Sequence, residues 1–246
     1  LKVPVETWDY SLKTGGQLGS NDGAQYTVPT KHGPEKYYVK FASRENNDHI
    51  WNEQLADNIY RILEIPVPET KIVKVDGAYG HASKMLETDT KSVVAGAANQ
   101  QLKEGFLADV LLANWDVPYA FERNTFVGPD GKSYRVDNGG ALLFRAKGER
   151  KSSELFGPKS SVKELERGTN QEKLGLGMRQ VYEGLGMTPE DIKEQATILE
   201  EKFTNKDIDR LVDGVRLPKS DRDYLKATLK HRRDYILSWA GSNTHK

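Results

Sequence analysis

The thirty residues from Leu111 to Gly140, LLANWDVPYAFERNTFVGPDGKSYRVDNGG, decide how the chain is read. An apolar run, Leu111-Leu112-Ala113, closes a helix predicted from Leu102 to Trp115, and Asp116 follows it directly. Asn124 opens a β-prone run, Thr125-Phe126-Val127. Pro129-Asp130-Gly131 supplies a turn, and Ser133 to Val136 returns as a second strand. Asp137 closes that strand ahead of Asn138-Gly139-Gly140. A helix, a loop with an acid, a hairpin and a second acid followed by glycine put Asp116, Asn124 and Asp137 around one point.

Taken singly, each of these three is an ordinary turn or cap residue. Taken together, two oxygen ligands and a base are what phosphoryl transfer needs. Asn124 and Asp137 would hold Mg²⁺ against phosphates, and Asp116 would accept or orient the proton of an acceptor hydroxyl.

Upstream, the first ninety residues read as strands around one helix. Residues 8 to 14 are extended, the glycine-rich stretch Gly15 to Gly23 makes a loose hairpin tip, and Tyr26-Thr27-Val28 resumes the strand. Tyr37-Tyr38-Val39-Lys40-Phe41 is a strand by alternation. From Asn46 to Leu63, Ile50, Trp51, Leu55, Ile59 and Leu63 recur at helical spacing, and Pro66 and Pro68 end the helix. Strands Thr70 to Val75 and Gly80 to Met85 flank an Asp76-Gly77 turn. A glycine-rich tip lets backbone N–H groups approach phosphate oxygens, although most such tips are only turns. On alternation Lys40 shares a face with Tyr38 and opposes Val39 and Phe41, which by itself favours a solvent-facing lysine. Glu53 on the next helix offers the other reading, an acid that pairs with Lys40 and aims it at phosphates.

Beyond Glu87 the composition turns polar and rich in alanine and glutamine, so the lobes are placed at 1–87 and 88–246. Residues 145 to 170 are basic and irregular. The last seventy read as helical, with starts at Thr188-Pro189-Glu190-Asp191 and Ser220-Asp221-Arg222-Asp223.

The whole chain has 246 residues, 36 basic and 36 acidic side chains and no cysteine. Disulfides, thiol nucleophiles and thiolate metal sites are thereby excluded. Balanced charge gives no overall pull toward nucleic acid, and no groove-reading module is visible. The five histidines lack zinc-site spacing and read as surface or structural. No transmembrane segment is expected, since no apolar run approaches the ~20 residues required. The chain opens on Leu1 with no basic-then-apolar leader, which fits a piece of a longer polypeptide. A soluble protein is expected, and cytoplasmic or secreted settings are equally compatible.

The ordered set of glycine loop, Lys40, Glu53, Asp116, Asn124 and Asp137 resembles the protein-kinase-like superfamily. The likeness is to its divergent bacterial branch, related to the HipA toxin kinases and the phosphoinositide kinases, and it covers residues 8 to 145. It implies a bilobal α+β fold with a strand-rich N-lobe and a mainly helical C-lobe, with ATP and Mg²⁺ in the cleft. The glycine loop, with Gly16, Gly19 and Ser20, would cover the nucleotide. Lys40 would grip its phosphates, Glu53 would hold Lys40, and the segment Lys84-Met85-Leu86-Glu87 would be the hinge for adenine. Asp116 would be the catalytic aspartate, acting as base, and Asn124 and Asp137 the metal ligands. Four features depart from the family pattern. Asn124 lies eight positions after Asp116 rather than five, no His-Arg adjoins Asp116, Asn138 replaces the usual aromatic after the metal acid, and no Ala-Pro-Glu element follows.

The expected activity is transfer of the γ-phosphoryl group of ATP to a hydroxyl, foremost on protein serine or threonine. A lipid or small-molecule acceptor, or a catalytically silent nucleotide-binding module, is the alternative. The run Arg145, Lys147, Arg150, Lys151, Lys159, Lys163 and Arg167 is either a solvated face or a site for an anionic substrate or activator.

Overall fold

The computed structural model describes residues 2–43, 46–86, 101–119, 124–167 and 177–243. Six strands form one sheet: β1 (Val5–Trp8), β2 (Lys13–Gly15), β3 (Gly23–Thr30), β4 (Gly33–Phe41), β5 (Thr70–Val75) and β6 (Ala78–Lys84). Their order is β1-β5-β6-β4-β3-β2, with β1 and β5 parallel and the other neighbours antiparallel. β1 and β2 thus lie on opposite edges, yet only residues 9–12 separate them in the chain. Five steps of chain reach at most about 18 Å, so the sheet must curl until its edges approach. The run read as one extended segment, 8 to 14, is therefore the end of one edge strand and the start of the other. A 3-10 turn at Tyr10–Leu12 joins them, begun by Asp9, whose side chain accepts from the Ser11 N–H at 2.8 Å.

The inside of the curl is packed with Trp8, Ala24, Tyr26, Tyr37, Val39, Val73, Val75 and Ala82. Register places Gly23, Lys40, His81 and Ile72 directly across from one another on the opposite face. That face is covered too, by α1 (Asp48–Ile62). Alternation favoured a solvent-facing Lys40 because it assumes a sheet with one wet side, whereas this sheet buries both.

The rest of the described chain is mainly helical: α2 (Phe106–Leu111), α3 (Asp116–Tyr119), the hairpin β7 (Thr125–Val127) and β8 (Ser133–Arg135), then α4 (Met178–Gly184), α5 (Pro189–Lys202), α6 (Asn205–Asp213) and α7 (Lys219–Asn243). One apolar core runs from α1 through α2 to α7. Capping boxes start α5 at Thr188 and α6 at Thr204.

The single helix expected from Leu102 to Trp115 is broken. Residues 101–103 are helical, a turn intervenes at Glu104-Gly105, and α2 ends at Leu111. Gly105 sits where any Cβ would strike the Arg135 guanidinium, and Ala113 takes the left-handed conformation at φ 47°. Arg135 and Asp109 form a fully buried pair, with Nε to Oδ1 and Nη2 to Oδ2 both at 2.8 Å. The hydroxyls of Tyr60 and Tyr182 also donate to that carboxylate. This cluster ties α1, α2, β8 and α4 together. The lobe boundary expected at 87/88 lies outside the described residues.

Candidate active site

The central contact joins the sheet to the end of the β7–β8 hairpin. Lys40 Nζ lies 2.8 and 3.0 Å from the Glu53 carboxylate oxygens and 3.1 Å from Asp137 Oδ1. Burial alone would lower the lysine's pKa, but the Glu53 and Asp137 charges outweigh it and hold it well above the ordinary amine value. Lys40 therefore stays an ammonium. Asp137 is left-handed, at φ 55° and ψ 50°, a conformation costly for a residue with a Cβ. Its side chain remains 60% exposed toward the cleft.

Asn124 reaches the same place through the backbone, its carbonyl accepting from the N–H of Val136 at 2.9 Å, one residue before Asp137. Its Nδ2 donates to the Asp116 carbonyl at 3.0 Å, which leaves Oδ1 as the side-chain atom for a ligand. Asp116 begins the one-turn helix α3, and the Asn124 side chain bonds back to its backbone, while residues 120–123 between them lie outside the described residues.

Asp116 packs so closely on Gly140 that a Cβ there would overlap its carboxylate and press on the Ala146 N–H. Burial pushes the Asp116 carboxyl above the usual range, with Lys151 pulling the other way. Gly140→Ala should therefore displace the Asp116 carboxylate with the fold retained. A crystal structure of the variant beside its far-UV spectrum checks this, and an unmoved Asp116 in Gly140→Ala would contradict the close packing.

The glycine loop hangs from the same row, since Gly23 pairs with Lys40. Nothing lies within 4 Å of where a Cβ would stand on Gly16 or Gly19, and neither has positive φ. Among the described residues no packing or turn requires glycine there. A bare backbone at those positions leaves room for a ligand's close approach. Ser20 lies in the same exposed tip. The Leu18 N–H donates to Tyr38 Oη at 3.0 Å, holding that tip over the face that carries Lys40. Of the expected hinge, Met85 is exposed and its N–H donates to the Lys36 carbonyl at 2.8 Å, so an adenine contact would have to use another group of the segment. Leu86 is half-buried, and Glu87 lies outside the described residues.

The basic run after Asp137 does not form one patch. Lys151 is buried, its ammonium donating to the carbonyls of Ala113, Gly140 and Leu142 at 2.9, 2.7 and 3.0 Å. Burial, reinforced by Arg232, pushes its pKa well below the ordinary lysine value. Two of those three carbonyls belong to left-handed residues, Ala113 and Leu142, so Lys151 fastens the strained turns on either side of Asp116. Arg150 pairs with Asp221, Arg167 pairs with Glu183, and Arg145 lies over the Trp115 ring. Sequence reasoning missed Lys151 because nothing in a basic run marks the one member that turns inward.

It missed His81 as well, which is 2% exposed and bound through Nε2 to Asp57 Oδ2 at 2.8 Å. Burial lowers its pKa, but Glu53 and Asp57, both on α1, raise it further than burial and the Lys40 ammonium depress it. With its folded pKa above the unfolded value near 6.5, the pair's stabilisation is complete below about pH 6.5. It is lost as pH rises through the higher folded value. Unfolding midpoints measured from pH 5 to 9 should fall over that window, and His81→Asn should flatten the fall.

Among the described residues no group of three or more His, Asp or Glu is gathered that could hold a metal ion. Asn124 Oδ1 and the exposed Asp137 carboxylate are nonetheless hard oxygen donors of the kind Mg²⁺ takes when phosphates complete its shell. With the open cradle at Gly16 and Gly19 and the Lys40 ammonium, the donor set fits a magnesium-bound polyphosphate.

A curled sheet with a lysine–glutamate bridge to a covering helix, followed by a helical part with two cleft acids, defines a protein-kinase-like α+β fold. The structure matches the crystal structure of the Helicobacter pylori proinflammatory kinase CtkA, with a TM-score of 0.64, 16% identity and 98% of each chain covered. HipA of the Shewanella oneidensis MR-1 toxin–antitoxin system, solved with HipB and operator DNA, aligns with a TM-score of 0.39 and 11% identity. That alignment covers 96% of this chain and 67% of HipA and is too loose to bear on fold or function. No family model and no curated protein matches the sequence. Among the described residues, no helix is long and apolar enough to cross a membrane.

Proposed function

We propose that this chain is an ATP- and Mg²⁺-dependent phosphotransferase that moves the γ-phosphoryl group to a hydroxyl, with protein serine or threonine as the first acceptor to test. The observation that carries the reading is the position of Lys40 Nζ between Glu53 and Asp137, at 2.8 and 3.1 Å. A half-buried ammonium serving one carboxylate would be a structural ion pair. One that also reaches the exposed carboxylate of a left-handed residue is suited to a metal-bound anion.

Each side chain then has a task. Lys40 stays charged and binds phosphate oxygen, and Glu53 fixes its direction. Asn124 Oδ1 and Asp137 hold Mg²⁺, which when bound neutralises phosphate charge. Asp116, made more basic by burial, takes the acceptor's proton as the acceptor oxygen bonds to phosphorus and the bond to the departing ADP oxygen breaks. The glycine tip, held to Tyr38, shields the phosphates from water.

Incubation with γ-labelled ATP, Mg²⁺ and a panel of protein, lipid and small-molecule acceptors tests this. Label in the chain or in an acceptor, absent in Asp116→Ala, is expected. Saturable nucleotide binding without transfer to any acceptor would instead mark a silent binding module. An unfolding midpoint unmoved by ATP and Mg²⁺ would remove the nucleotide site altogether, because ligand at a hundred times its Kd adds about 2.7 kcal/mol.

A further inference from the structure

Asp57 lies one turn beyond Glu53 on α1, so the two carboxylates leave the same side of the helix. Glu53 serves Lys40. Asp57 is 2% exposed and serves two other partners, Oδ2 meeting His81 Nε2 and Oδ1 accepting from Asn138 Nδ2, both at 2.8 Å. Asn138 is the residue after Asp137. It is buried, and its Oδ1 accepts from Asn114 Nδ2 at 3.2 Å, two residues ahead of Asp116. Asn52, on the same helix, pairs with the backbone further along that loop, donating to the Ala141 carbonyl at 2.9 Å and accepting from the Leu143 N–H at 3.1 Å. Asn52 and Asp57 thus bond the loop directly, and Glu53 reaches it through Lys40.

Buried amides and carboxylates are costly unless fully satisfied, and a core here could be apolar at less risk. What these groups add is direction. Asp137 sits in a conformation a non-glycine residue holds only when its surroundings impose it. The clamped Asn138 side chain fixes the peptide that follows it.

We propose that Asp57, through Asn138 and with His81 as its hydrogen-bond partner, is the positioning residue that aims Asp137, so that docking of α1 and formation of the metal site are one event. On this account α1 cannot withdraw and carry Glu53 away without dismantling the Asp137 loop as well. Asn138 does the work an aromatic at that position would do by packing, and does it through hydrogen bonds that reach both cleft acids.

The inference rests on the phosphotransferase reading, so its test has two readouts. The Mg²⁺ concentration giving half-maximal response is measured for the ATP-induced rise in unfolding midpoint and for transfer. Wild type, Asp57→Asn, Asn138→Ala and the double variant are compared, with midpoints without nucleotide alongside. Each single change should raise the Mg²⁺ requirement about tenfold in both readouts. The double variant should be no worse than the worse single, because both changes act through one contact. Should Asp57→Asn not fold, Asn138→Ala carries the same expectation, since Asp57 then keeps His81. A lowered midpoint with an unchanged Mg²⁺ requirement in the folded variants would show that the network is only structural. Fully additive effects would likewise overturn the proposal. If wild type neither responds to Mg²⁺ and ATP nor transfers phosphate, the phosphotransferase reading fails and takes this proposal with it.

Discussion

Asp137→Asn is expected to reduce phosphoryl transfer by about 10³-fold or more while leaving the protein folded. The carboxylate is 60% exposed and makes one ion pair, with Lys40, whose other partner Glu53 remains. An ion pair so open to solvent contributes about 1 kcal/mol at most, so stability should hardly change. Lys40→Met should match the loss of transfer but behave differently on unfolding. It leaves the Glu53 side chain, 7% exposed, without its main partner, and among the described residues only His81 Nδ1 at 3.9 Å is near enough to help. Transfer assays and denaturant midpoints on the two variants separate these effects. Substantial transfer by Asp137→Asn would remove the metal-ligand role.

The largest stability effect should come from Arg135→Met. Arg135 is wholly buried and satisfies Asp109 through two hydrogen bonds while donating to the Leu102 carbonyl at 3.0 Å. Methionine would leave a buried carboxylate supported, among the described residues, only by the hydroxyls of Tyr60 and Tyr182. Breaking one side of such a pair costs about 3–5 kcal/mol, which lowers the midpoint of a chain this size by roughly 6–20 °C. Because the cluster joins α1 to the residues flanking the cleft, stability and transfer should fail together on warming. A midpoint within a degree or two of wild type would mean the cluster is not the tie described.

The sequence pointed to the residues that gather more clearly than to what surrounds them. Lys40, Glu53, Asp116, Asn124 and Asp137 stood out because a charged or amide group at the edge of an apolar segment is costly without a partner, and the structure brings Lys40, Glu53 and Asp137 into contact and joins Asn124 to Asp116. The curl of the sheet was not readable, because it depends on β1 pairing in parallel with β5 across more than sixty residues, and local alternation carries no record of partner or register. The same gap hid His81, whose place opposite Lys40 is a fact of register. Asp57 does not stand out in the sequence because only one amphipathic stripe is visible on α1, whereas that helix is covered by the sheet on one side and by the Asp137 loop and helical core on the other. Asn138 was noticed as a departure from the family pattern, and its hydrogen bonds to Asp57 and from Asn114 supply the reason. The broken helix before Asp116 was missed for a similar cause, since Gly105 yields to a guanidinium that arrives thirty residues later.

The most direct test of the whole account is a crystal structure with Mg²⁺ and a non-hydrolysable ATP analogue. The account predicts one Mg²⁺ bound by Asn124 Oδ1 and an Asp137 oxygen at about 2.0–2.1 Å, Lys40 moved from Asp137 onto a phosphate oxygen while keeping Glu53, and the Gly16–Gly19 backbone over the triphosphate. A nucleotide bound elsewhere, or bound here with Lys40 still on Asp137 and no metal at Asn124, would contradict it.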